Sequence, residues 1–198
     1  ELHLHTNMSA LDALTPAGDL INRAADWGHT AIAITDHDCL GAHIKALKHF
    51  KKNYKDKDYK LILGNEIYIS REGLTNENYE PGEKFYHCIL LAKDEIGHRQ
   101  IRELSTRAWR DNGFFRVIMR TPTYLSDIEE IVGQNPGHLI CTTACLGSLP
   151  GVQFQRQNYG AITAYLEVMK ELFGDDFYIE LQPNTNEDQR SYNHYMWQ

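Results

Sequence analysis

The chain has 198 residues, 42% of them hydrophobic and 24% charged, which is enough for one domain with a sizeable core. Its formal net charge of −7 excludes a protein that holds nucleic acid by bulk positive charge alone, although carboxylates that bind cations can still attract phosphate. No apolar run approaches a membrane span and no signal peptide is visible, and the four cysteines lack CxxC spacing, so they read as reduced thiols of a cytoplasmic protein.

Along Glu1–His5 the pattern alternates and predicts a strand, with His3 and His5 on one face and Leu2 and Leu4 on the other. Thr15-Pro16 opens a helix through Leu20, Ile21, Ala24 and Ala25, and Gly28 ends it. Ala31–Thr35 reads as a buried parallel strand. Residues 41–54 form a second amphipathic helix with Ile44, Leu47 and Phe50 inward, and its lysines read as a solvated face. Extended stretches follow at 61–63 and 66–69 around Gly64. Residues 71–84 read as an exposed excursion, and 85–92 returns as a strand. A helix is expected over 94–111 and irregular chain over 112–124. Ser126 caps a short helix to Val132. A strand at 138–144, a helix at 161–173 and a strand at 177–182 complete the pattern. Strands alternating with helices predict a single α/β domain over 1–198, its sheet largely parallel and either open or closed into a barrel.

In such folds, sites gather at the carboxyl ends of strands. His3 and His5 end the first strand, with Asp12 in the loop beyond. Asp36-His37-Asp38 follows the second. Glu66 lies just past Gly64, His87 sits within the strand at 85–92, and Cys145 follows the strand at 138–144. Imidazole, carboxylate and one thiolate form a donor set suited to zinc, manganese or iron, and a carboxylate among imidazoles can bridge two metals. The remaining histidines, together with Cys39, Cys88 and Cys141, read as ordinary structural residues. Trp109 beside Arg107 and Arg110 reads as a half-buried helix end, with base stacking as the alternative.

His3-Leu4-His5-Thr6, Asp12, Thr35-Asp36-His37, Gly64-Asn65-Glu66, Tyr86-His87 and Ala144-Cys145-Leu146-Gly147 occur in an order that resembles the polymerase and histidinol phosphatase (PHP) family. The form resembled is the amino-terminal PHP domain of the bacterial DNA polymerase III alpha subunit, the C-family replicase. Leu90-Leu91-Ala92-Lys93 and the stretch from Phe173 to Gln182 add to the resemblance, which runs to about Tyr192.

The resemblance implies a distorted, TIM-like (β/α)7 barrel with a cluster of two or three divalent metal ions (zinc, manganese or iron, with magnesium as an alternative). It places His3, His5, Asp12, His37, Glu66, His87 and Cys145 on ligand positions. Asp12, Glu66, His87 and Asp36 are the candidate catalytic residues, and Asp36 has the alternative role of orienting a ligand. The family carries a further Asp-x-His pair that this chain lacks, so the barrel is expected to be truncated at its carboxyl end. The implied activity is 3′–5′ exonuclease action on a DNA 3′ end within a DNA-directed DNA polymerase, and the missing pair implies impaired catalysis in this truncated piece. The implied partners are the remainder of the polymerase alpha subunit and other replisome subunits. The alternatives are a stand-alone phosphatase acting on small phosphate esters, or a non-catalytic domain that steadies the polymerase or docks a proofreading subunit.

Overall fold

Alternating apolar segments and amphipathic helices build an α/β sheet in the computed structural model, which describes residues 1–198. Helix α1 (Ala17–Asp26) leads into strand β1 (Ala31–Ile34), helix α2 (His43–Asn53) and strand β2 (Lys60–Ile69). Strand β3 (Tyr86–Ala92) and helix α3 (Glu95–Arg110) follow, then a small hairpin of β4 (Phe114–Phe115) and β5 (Met119–Arg120). Helix α4 (Leu125–Gln134), strand β6 (Leu139–Thr142), helices α5 (Leu149–Gln155) and α6 (Tyr159–Phe173), strand β7 (Phe177–Tyr178) and helix α7 (Glu187–Trp197) complete the chain. The main sheet has the order β1-β2-β3-β6-β7.

Two pairings are parallel, β1 with β2 and β6 with β7. Both pairings of β3 are antiparallel. The expectation of a largely parallel sheet is therefore corrected at its centre. The cause lies in the excursion over 71–84, which contains no helix. Chain that does not cross the sheet face can only return antiparallel, because a parallel partner needs a long crossover. Gly64 lies inside β2 rather than interrupting it, and β2 runs unbroken from Lys60 to Ile69. An added Cβ at Gly64 would lie 2.6 Å from the Leu90 carbonyl oxygen, so glycine lets β2 and β3 approach.

The sheet does not close, which corrects the expectation of a barrel. On one side, Glu1–Leu4 runs beside β1 through bonds from the Ala33 and Thr35 amides to the Glu1 and Leu4 carbonyls at 2.8 and 3.0 Å. It bends at His3 and makes no ladder, so the strand expected there is not formed. On the other side β7 is two residues long, and Ile179–Gln182 leave the ladder. The edges meet through side chains, His3 Nδ1 lying 2.7 Å from Glu180 Oε1. Between them is a cavity of about 920 Å³ lined by Leu2, Ile62, Leu91, Ile140 and Ile179.

The larger core packs Ile67, Leu90, Leu139 and Cys141 of the sheet against Ile101 and Leu104 of α3, Ile128 of α4 and Met169 of α6. Cys88 and Cys141 are free and buried there, their sulfurs 3.4 Å apart. A second core joins α1 and α2 to β1 through Ile21, Ala24, Ala42 and Ala46. Here Ile44 is 60% exposed, contrary to expectation. Small alanines, rather than isoleucine, let α2 sit close to α1. Asp94 caps α3 by accepting bonds from the Ile96 and Gly97 amides. Tyr124, not Ser126, occupies the cap position of α4, and the Ser126 hydroxyl donates to Glu72 instead.

Gly97 marks where α3 crosses the start of β6. A Cβ there would collide with the His138 carbonyl oxygen. Alanine normally favours a helix over glycine by about 1 kcal/mol. Overpacking against backbone costs about 1–3 kcal/mol or more. The Gly97→Ala protein is therefore expected to be net destabilised in urea denaturation, and a gain in stability would contradict this packing.

Candidate metal centre

Burying a carboxylate requires partners, and Glu66 is fully buried in mid-β2. Its Oε2 lies 2.9 Å from His3 Nε2, 2.9 Å from His5 Nε2 and 3.3 Å from His37 Nδ1. Its Oε1 lies 2.8 Å from His87 Nδ1. The scaffold explains the convergence. His37 bridges to Glu66 in parallel register just past β1, and His3 and His5 arrive on the amino-terminal segment beside β1. His87 starts β3, opposite Tyr68. Because β3 runs against its neighbours, its beginning shares a rim with their carboxyl ends.

The loop that carries His5 is tied down by Asp36. Its buried carboxylate accepts from the Thr6 amide (2.6 Å), the Thr6 hydroxyl (2.8 Å) and the Ser9 hydroxyl (2.8 Å). The Ser9 hydroxyl proton is thereby committed. Ser9 Oγ accepts from the His37 amide at 2.9 Å, and its remaining contact, 3.1 Å from His5 Nδ1, requires the proton on that ring nitrogen. In the neutral ring Nε2 is then the unprotonated nitrogen, and it is turned to Glu66. His3 is set in the same way, donating from Nδ1 to Glu180 and turning Nε2 to Glu66. Glu180 is itself held by the Thr142 hydroxyl (2.7 Å) and Gln182 Nε2 (2.9 Å).

Lone pairs facing an anion repel unless a proton or a cation lies between them. Only His3 meets Glu66 with hydrogen-bond geometry, and His37 Nδ1 and Glu66 Oε1 are buried without hydrogen-bond partners. The donor atoms fall into two groups that could each hold a metal ion, His3–His5–Glu66 and His37–Glu66–His87, with Glu66 common to both. The residues present thus fit divalent cations astride one carboxylate.

The acid–base pattern follows from the same contacts. Burial would lower the pKa of His3, but Glu180 and Glu66 outweigh it and raise it to about 10. His87 rises to about 9, burial again being outweighed by the Cys145 thiol and Glu66. Burial lowers His37 to about 4. Glu66 is held far below the usual carboxylate range, burial being overcome by His3, His5 and His87. Glu180 is lowered as well, burial being overcome chiefly by His3.

The other expected residues lie around this cluster. Cys145 Sγ is 3.3 Å from His87 Nδ1 and accepts from the Gly147 amide at 3.3 Å. Asp12 is exposed, 3.9 Å from His37 Nε2, at the rim. Neither belongs to the two donor groups. Arg107 is engaged by Glu130 and Asp127, Arg110 by Asp111, and Trp109 Nε1 donates to the Asp38 carbonyl, so this helix end is occupied by its own contacts. The residues missed in the sequence are Glu180, Gln182, Ser9 and Tyr68. The first two lie in or beside the stretch that carries the family resemblance, but nothing in their local pattern marks a site. Tyr68 stacks on His37 with centroids 5.3 Å apart. Asp38 is buried with neither oxygen hydrogen-bonded, and burial pushes its pKa up.

Fold and cluster define an α/β domain whose sheet rim carries a histidine–carboxylate centre. The chain belongs to the PHP domain family, whose family model matches residues 1–184. It is 37% identical to a DNA-directed DNA polymerase of Bacillus phage SPbeta over 94% of this chain. It is 30% identical to the DNA polymerase III subunit alpha of Aquifex aeolicus (strain VF5) over 95% of this chain. In both cases the match spans only 16% of the relative. Among solved structures, an amidohydrolase from Chromobacterium violaceum aligns at 20% identity over 55% of this chain and 34% of its own, with a TM-score of 0.35. No helix is long and apolar enough to cross a membrane.

The shifts dictate opposite pH responses with and without metal. Raised His3 and His87 stabilise the fold below their unfolded value of 6.5, and that stability is lost as pH rises through about 9 to 10. The lowered His37 acts on the acid side, where its contribution is lost between 6.5 and about 4. In chelator the melting temperature should therefore fall from pH 7 to pH 10. With manganese or zinc the added stabilisation should grow over the same window, as cations replace protons. Metal stabilisation that shrinks towards pH 9 would contradict this arrangement.

Proposed function

We propose that the centre holds two divalent cations and that the domain is a phosphoesterase of a replicative DNA polymerase, acting as a 3′–5′ exonuclease on the terminal phosphodiester of DNA. The carrying observation is the sharing of buried Glu66 by two donor groups. His3, His5, His37 and His87 would hold the cations with Glu66 between them, and Cys145 and Asp12 stand at the edges to complete the shells. The metal identity is left to zinc, manganese or iron, with magnesium the hardest and least suited to imidazole. Two relatives of this chain are DNA polymerases by name, which supports DNA rather than a small phosphate ester as the substrate, and the remainder of an alpha subunit and other replisome subunits as partners.

Held by His3, His5, His37, His87 and Glu66, divalent cations would supply a nucleophile at neutral pH and offset charge on the attacked phosphoryl group and the leaving oxygen. The protein's own residues position this chemistry. Glu66, already ionised, needs no proton removed before use. Glu180 fixes the ring of His3 with Nε2 inward, and Ser9 does the same for His5. Asp36 acts through Thr6 and Ser9 as a positioning residue for the loop. His87 turns Nδ1 towards both Glu66 and Cys145 at the outer edge of the cluster.

The test is cleavage of 3′-labelled single-stranded DNA against p-nitrophenyl phosphate, with manganese and with chelator. DNA should be the preferred substrate and chelator should stop the reaction. Loss of an outer carboxylate behind a metal-bound histidine typically costs about 10- to 100-fold in metal affinity, which is the expectation for Glu180→Gln. Glu66→Gln and His5→Ala, which remove ligands themselves, should exceed about 100-fold in rate on the same scale. Cleavage by Glu66→Gln at the parent rate, or cleavage insensitive to chelator, would overturn the proposal.

A further inference from the structure

We propose that a lane of aromatic rings and arginines running outward from the histidine cluster is the track for the single-stranded end of a nucleic acid. The inference rests on the preceding reading for where the scissile bond lies and adds which residues hold the strand behind it. The lane begins at His37, on which Tyr68 stacks. Phe85 meets Tyr68 edge-on at 6.4 Å, Tyr79 stacks on Phe85 at 6.5 Å, and Phe114 follows Tyr79 at 6.0 Å. Two guanidinium groups lie over these rings, Arg120 at 5.0 Å from the Phe85 centroid and Arg116 at 5.1 Å from that of Tyr79. The hairpin of β4 and β5 supplies Phe114, Arg116 and Arg120, and the excursion over 71–84 supplies Tyr79.

These two arginines differ from those nearby. Arg71 is neutralised by Glu83, Arg107 by Glu130 and Asp127, and Arg110 by Asp111. Arg116 makes one bond, to the Tyr79 carbonyl at 3.3 Å. Arg120 has a buried Nε with no partner. A guanidinium has five donors, and leaving one buried and unused is costly unless an acceptor arrives. Beside them is a groove of about 570 Å³ lined by Asn76, Tyr79, Phe115, Arg116, Val117 and Arg120. Half-buried Tyr68, Tyr79 and Phe85, backed by the buried Phe114 ring and with uncompensated guanidinium groups over Tyr79 and Phe85, match a ligand that alternates flat heterocycles with phosphates. On a chain of net charge −7, a local concentration of this kind needs such a reason. The competing occupant is protein, because Phe115 and Val117 at the hairpin tip are 69% and 94% exposed.

The test is fluorescence anisotropy of the whole protein with a labelled single-stranded oligothymidylate in EDTA. Cleavage is silent there, so a failed hydrolase reading and a failed track are told apart. Arg116→Ala/Arg120→Ala should weaken binding about tenfold and reduce the salt slope by about 1–2. Phe85→Leu should weaken it about five- to tenfold through lost stacking. Arg120→Lys should lose affinity with the salt slope retained, since it keeps charge but not the plane. Lys51→Ala/Lys52→Ala on α2 should bind as the parent does. Thermal melting confirms that each variant is folded, and if the double variant does not fold, Arg116→Gln and Arg120→Lys carry the test. Parent-like affinity in the arginine variants assigns the hairpin to protein packing, and an equal loss in the lysine pair assigns binding to general surface charge. Either result overturns the proposal.

Discussion

A single buried carboxylate organises this molecule. Glu66 sits fully enclosed in the middle strand of the site, and an isolated charge there costs several kcal/mol. Four imidazoles surround it, and two of them have their tautomers fixed from behind by Glu180 and Ser9. The arrangement has no comfortable neutral state. It takes protons, as the raised His3 and His87 show, or it takes cations. A site that is satisfied only by positive charge is pre-organised for metal, because the donors are already aimed before the ion arrives.

The sheet serves this requirement through one reversed strand. With β3 parallel to its neighbours, His87 near its start would lie at the opposite rim. The helix-free excursion that reverses β3 brings His87 round and also carries Tyr79 to the aromatic lane. Gly64 allows the close β2–β3 approach that sets Glu66 opposite Ile89 and Tyr68 opposite His87. Asp36 links the amino-terminal segment to β1 without joining the donor groups. One end of the open sheet thus carries the cluster, and the side-chain contact between His3 and Glu180 joins its two edges.

Much of the architecture was legible because it rests on local signals. The apolar run over 31–35, the Asp94 start of α3 and the alternation of strands with helices are all short-range patterns. What escaped depends on tertiary context. The direction of β3 is decided by an absent crossover helix, not by the residues of β3. Ile44 faces solvent because Ala42 and Ala46 suit the close helix contact better. Helix α5 was not among the expected elements, because Pro150 and Gly151 at its start are the two weakest helix formers. In the site, histidines at strand ends announce themselves by type and spacing. Glu180 does not, since an acidic residue late in the chain acquires meaning only when the fold brings it 2.7 Å from His3. The distorted barrel implied by the family resemblance, expected to be truncated at its carboxyl end, does not close within residues 1–198: β7 ends after two residues and nothing pairs with its outer edge.

The most direct test of the central idea is the position of bound metal. Crystals of the protein soaked with manganese and measured at its absorption edge should show two anomalous peaks, one on each side of the Glu66 carboxylate and about 3.5–4 Å apart. One should be reached by His3 and His5, the other by His37 and His87. Peaks remote from Glu66, or none at saturating manganese and alkaline pH, would contradict the account.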